Sequence, residues 1–98
     1  MGQLLNKLFR RSAAATEQRL SHYLYFKTQQ AAAPVVTELK HQGFDVEDRE
    51  SADGKNWLVL AHHDTVITPS VLEALRVRMT ALAAPHGGDY DGWEAAVD

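Results

Sequence analysis

Hydrophobic positions along the 98 residues follow two periods, and the change from one to the other marks the predicted elements. His22-Tyr23-Leu24-Tyr25-Phe26 alternates and is rich in aromatics, which predicts a strand with Leu24 and Phe26 on one face and Tyr23 and Tyr25 on the other. Thr28 is a side-chain cap for a helix reaching about Gln42, in which Ala32, Val35, Val36 and Leu39 recur at helical spacing. Gly43 ends it, while Pro34 removes a hydrogen bond and predicts a late start or a bend. Phe44 and Val46 then alternate with Asp45 and Glu47 as a second strand, and Ser51 to Lys55 makes a turn on Asp53-Gly54. The nearly continuous apolar run from Asn56 to His62 reads as a covered central strand. Thr68-Pro69 opens a second helix through Leu72, Leu75, Met79 and Leu82, stopped by Pro85. Gly87-Gly88 turns the chain into a short last strand, Asp89 to Trp93.

The order is βαββαβ. With right-handed crossovers it predicts an α+β, ferredoxin-like sandwich in which two helices cover one face of a four-stranded antiparallel sheet. Leu24, Phe26, Leu58 and Leu60 are expected beneath the helices, leaving Tyr23, Tyr25, Trp57 and Val59 on an open face. Residues 1–20 are read as an N-terminal amphipathic helix, carrying Leu4, Leu5, Leu8 and Phe9 beside Lys7, Arg10 and Arg11, followed by a small-residue linker. Residues 21–96 form the domain.

Composition narrows the function classes. A chain of 98 residues holds one core and little room for a deep substrate cavity. Without cysteine it has no disulfide framework, zinc ribbon or thiol nucleophile. No apolar run reaches the roughly 18 residues of a membrane span, and the expected location is the cytoplasm. The net charge of -3 conceals a division: residues 1–40 carry six bases and two acids, whereas residues 41–98 carry four bases and eleven acids. A surface for nucleic acid is therefore restricted to the first part of the chain.

Candidate chemistry is sparse. His62 and His63 point to opposite faces of one strand, and His22, His41 and His86 are expected at exposed element edges, so no metal and no cofactor is expected. Asp89, Asp91 and Trp93 share a face by alternation, with Glu94 beside them; an edge strand offers no cleft for acid–base work, which leaves an acidic binding rim. No glycine-rich phosphate loop or nucleophile elbow is present, and no catalytic residue is assigned. Tyr23, Tyr25 and Trp57 on central strands are placed as RNA-recognition modules place stacking aromatics. Only Lys27 and Lys55 supply cations among Asp45, Glu47, Asp89 and Asp91, so a basic protein partner suits the face better than RNA. An RNA-binding module is the alternative, and homodimerisation or coverage by residues 1–11 are further uses of the face.

The run His22 to Phe26, Gln42-Gly43-Phe44-Asp45-Val46-Glu47, Trp57-Leu58-Val59-Leu60-Ala61 and, most distinctively, Gly87-Gly88-Asp89-Tyr90-Asp91-Gly92-Trp93-Glu94 resemble the bacterial regulator of ribonuclease E activity B (RraB) family over about residues 21–96. The resemblance implies a ferredoxin-like, non-enzymatic cytoplasmic protein that binds endoribonuclease E, inhibits its RNA processing and alters the make-up of the degradosome. The candidate partner-binding set is Tyr23, Tyr25, Trp57, Asp89, Asp91, Trp93 and Glu94.

Overall fold

A computed structural model describes residues 16–96. Its elements run β1 (Gln18–Phe26), α1 (Gln29–His41), β2 (Asp45–Glu50), β3 (Trp57–Thr65), α2 (Pro69–Ala83), a short 3-10 turn (Ala84–His86) and β4 (Asp89–Ala95). The strands form one antiparallel sheet in the order β2-β3-β1-β4, the ferredoxin-like arrangement that the βαββαβ pattern predicts. The predicted amphipathic segment over residues 1–11 lies outside the described residues.

Local chemistry sets the element ends. The Thr28 hydroxyl accepts from the Ala31 amide at 3.0 Å, and the Thr68 hydroxyl accepts from the Val71 amide at 3.1 Å, with Pro69 in the first turn of α2. Pro34 lies inside α1 without preventing it, because Ala32, Val35 and Leu39 bury a continuous stripe against the sheet. In the β2–β3 turn, Asp53 accepts from the Ser51 hydroxyl at 2.6 Å and from the Lys55 amide at 3.0 Å. Each strand also runs past its apolar stretch: β1 begins four residues before His22, and β3 continues to Thr65. Pairing with a neighbour extends strands into polar residues that alternation alone does not reach.

The core beneath the helices comprises Leu24, Phe26, Ala32, Val35, Leu39, Phe44, Val59, Ala61, Met79 and Ala83. This overturns the expected assignment of β3. Leu24 pairs with Val59, Phe26 with Trp57 and Tyr23 with Leu60, and directly paired residues share a face. Trp57, Val59 and Ala61 therefore face the helices, whereas Leu58 and Leu60 lie on the open face with Tyr23 and Tyr25. A continuous apolar run has no period-two signal of its own, so pairing register decides which half faces inward.

The β4 alternation is corrected too. His22 pairs with Trp93 but Leu24 with Tyr90, so two residues, Asp91 and Gly92, stand opposite Tyr23 alone. This is a β-bulge, with Gly92 at φ 108°. Trp93 is thereby moved to the helix side while Asp89 stays on the open side. Gly88 serves close packing rather than only turning: a Cβ there would overlap the buried Phe26 ring.

Candidate open-face binding site

The open face is built from alternate residues of all four strands. Arg19, Ser21, Tyr23 and Tyr25 come from β1, Leu58, Leu60, His62 and Asp64 from β3, Asp45, Glu47 and Arg49 from β2, and Asp89 and Glu94 from β4. The two leucines are nearly covered, at 7% and 5% exposure, while both tyrosines remain partly exposed. What the face offers is consequently tyrosine and carboxylate rather than bare aliphatic surface.

Its charges are arranged asymmetrically. Arg19 is ion-paired with Asp45 and, at 3.3 Å, with Asp64; Arg49 is paired with Glu47 at 2.9 Å. Bonding to Arg19 lowers the Asp45 pKa, and bonding to His62 is the larger of the influences that lower that of Glu47. The carboxylates along β4 have no such partners. None of Asp89, Asp91 and Glu94 forms an ion pair among the described residues; Glu94 accepts from the Tyr23 hydroxyl at 2.8 Å, which raises the phenol pKa. The two guanidiniums are thus occupied, and uncompensated negative charge lies beside the tyrosines.

At the loop end of this face, a cavity of about 610 Å³ is lined by Tyr25, Lys27, Asp53, Asn56, Asp89 and Asp91, with nearby turn residues. A second groove of about 470 Å³ lies around the sheet edge, where Trp93 faces Pro69, Leu72 and Arg76 of α2. The structure therefore brings Tyr23, Tyr25, Asp89, Asp91 and Glu94 to one face, removes Trp57 from it, and turns Trp93 into the second groove, which Asp91 also borders. Trp93, 44% exposed, belongs to the second groove. Trp57 packs against the core, and its indole N–H donates to Asp48 at 2.7 Å.

Two polar networks escaped sequence reasoning. On the open face the Ser21 hydroxyl lies 2.7 Å from His62 Nδ1, and His62 Nε2 lies 2.9 Å from Glu47. This hydroxyl–imidazole–carboxylate chain has the connectivity of a hydrolase relay but lacks its surroundings. Ser21 is paired on both sides, so nearby backbone donors belong to sheet ladders rather than to an oxyanion hole.

The second network lies beneath the helices. His22, expected at an exposed edge, is fully buried. Its Nδ1 is 2.8 Å from the Tyr90 hydroxyl and its Nε2 is 3.0 Å from His63 Nε2. Phe44 packs against both imidazoles, its ring centroid 4.5 Å from that of His63 and, edge-on, 6.1 Å from that of His22. Burial, reinforced by His63, His62 and Arg78, lowers the His22 pKa to about 4. Burial is also the main cause of the lowered His63 pKa and pushes Tyr90 up to about 12. All three groups are neutral near pH 7, and a single proton between the facing imidazole nitrogens satisfies both rings. Among the described residues no group of three or more histidine, aspartate or glutamate side chains is placed to hold a metal ion.

The family profile described as "Regulator of ribonuclease activity B" matches residues 5–95. The chain belongs to the RraB family. A curated relative from Actinobacillus succinogenes, named "Regulator of ribonuclease activity B", is 28% identical over 81 residues, covering 79% of this chain and 54% of the relative. The chain thus spans about half the length of that relative. The RraB match includes all four strands, both helices and the Tyr90-Asp91-Gly92-Trp93-Glu94 segment that forms the bulge. No helix among the described residues is long and apolar enough to cross a membrane.

Proposed function

We propose that this RraB-family chain regulates a ribonuclease by binding it as a protein, with the open sheet face as the docking surface and a basic segment of the nuclease as its occupant. The supporting observation is the charge arrangement: Arg19 and Arg49 are already paired, while Asp89, Asp91 and Glu94 stand beside Tyr23 and Tyr25 without cationic partners among the described residues. Tyrosines bury large rigid area at low entropic cost, and carboxylates speed encounter with a basic partner. The same carboxylates repel a phosphate backbone, which disfavours direct RNA binding. Endoribonuclease E is the candidate partner that the sequence resemblance supplies. The regulator acts by occlusion, covering a segment the nuclease needs, and performs no covalent chemistry.

Purified endoribonuclease E immobilised on a sensor tests the interaction. Wild-type chain should bind, and Tyr23→Ala/Tyr25→Ala should bind roughly tenfold or more weakly, the loss expected when buried aromatic anchors are truncated. Val77→Ala, on the exposed side of α2, should bind like wild type. Absence of binding by the wild-type chain overturns the proposed partner, and equal binding by wild type and both variants overturns the proposed face.

A further inference from the structure

The cavity at the loop end of the open face has a composition that suits one side chain in particular. Resting on the docking reading above, we infer that it is an arginine-reading subsite, in which the Tyr25 ring supports a partner's guanidinium while Asp89 and Asp91 accept its hydrogen bonds.

Placement supports this assignment first. Tyr25 and Asp89 are direct cross-strand partners, so the ring and the carboxylate rise side by side from adjacent strands. Asp91, the first residue of the bulge, lines the same cavity and also borders the second groove beside Trp93. The opposite wall is the β2–β3 turn, and the volume of about 610 Å³ lies within the roughly 300–1,000 Å³ range of ligand pockets.

Charge then selects the ligand. Three carboxylates and one ammonium, that of Lys27, line the cavity. Asp53 is committed to its own turn, where the Ser51 hydroxyl and the Lys55 amide hold its pKa low. Asp89 and Asp91 have no ion pair among the described residues. An anionic ligand is repelled, and a neutral one leaves both carboxylates uncompensated. A cation fits.

Shape distinguishes the two protein cations. A guanidinium is planar, stacks on an aromatic ring and presents donors in several in-plane directions. It therefore meets the Tyr25 ring and two neighbouring carboxylates at once. An ammonium is a compact, strongly hydrated point charge and gains less from the ring. Lys27 lines the site as a competing positive charge, so removing it should strengthen arginine binding.

The probe is an acetylated, amidated peptide of glycine and serine around two leucines and one central arginine, compared with peptides carrying lysine or citrulline at that position. Each is titrated into full-length, nitrogen-15-labelled chain while amide resonances are followed. The arginine peptide should shift the Tyr25, Lys27, Asp89 and Asp91 amides. The lysine peptide should bind several-fold more weakly, and the uncharged citrulline peptide roughly tenfold or more weakly. Asp89→Asn/Asp91→Asn should abolish the arginine preference while leaving the rest of the amide spectrum in place, and Lys27→Gln should tighten arginine binding.

Equal binding of the three peptides, or shifts confined to other parts of the chain, overturns the subsite. So does displacement of the arginine peptide from these amides by oligouridylate, which would make the cavity a nucleotide site. Binding of endoribonuclease E is measured on the same protein preparations. If the nuclease binds wild type and Asp89→Asn/Asp91→Asn equally, the subsite fails and the docking face stands. If it binds neither, the docking reading itself fails.

Discussion

His22 shows how one side chain couples the sheet to solution pH. In the folded chain burial lowers its pKa to about 4, from the 6.5 of an ordinary imidazole. Between those values the unfolded chain holds more protons than the folded one, so stability is fully present above about pH 6.5 and falls as the pH drops toward 4. The slope for one such group is at most about 1.4 kcal/mol per pH unit, and the lowered His63 pKa acts in the same direction. Urea unfolding at pH 7, 5.5 and 4.5 should show this loss. His22→Gln should be less stable than wild type at pH 7 but flatter across the series; an unchanged slope contradicts a titrating His22. Neither the burial nor the partner of this imidazole was legible in sequence, since His22, His63 and Tyr90 come from three different strands. Asp89 and Tyr25 were more legible, because each lies in a short alternating run whose polar side faces outward.

Elements show where patterning is sufficient and where it is ambiguous. The helical stripe of Ala32, Val35 and Leu39 predicts the buried face of α1 despite Pro34, and Thr28 and Thr68 act as the caps their positions predict. Pro34 is exposed and lies beyond the first turn, so the carbonyl of Gln30 lacks the amide it would otherwise receive. Pro34→Ala should therefore stabilise the fold by roughly 1–3 kcal/mol, read as a higher urea midpoint at unchanged m-value. A lower midpoint would mean that the proline sets a helix path the core requires. β3 behaved differently. Apolar residues on both faces of a central strand erase alternation, and Trp57 could be assigned to the helix side only through its pairing with Phe26. On β4 the extra residue at Asp91-Gly92 reversed the alternation of everything beyond it, moving Trp93 away from Asp89.

Across the whole molecule, fold class was the most readable property, because the βαββαβ order and the two capped helices leave few antiparallel arrangements. The candidate site was partly readable. Tyr23, Tyr25, Asp89 and Glu94 do share the open face, whereas both tryptophans lie elsewhere for reasons of register rather than composition. Sequence counts alone make residues 41–98 acidic; strand pairing divides those acids between β2, where arginine neutralises part of the charge, and β4, where the described residues provide no ion pair. That division underlies the proposal that a basic segment of a ribonuclease lies along β1 and β4. The most direct test is the rate at which purified endoribonuclease E cleaves a fluorescent RNA as this chain is added. Wild type and Val77→Ala should slow cleavage with the same midpoint, while Tyr23→Ala/Tyr25→Ala should require roughly tenfold or more protein; inhibition by the tyrosine variant at the wild-type midpoint would contradict the account.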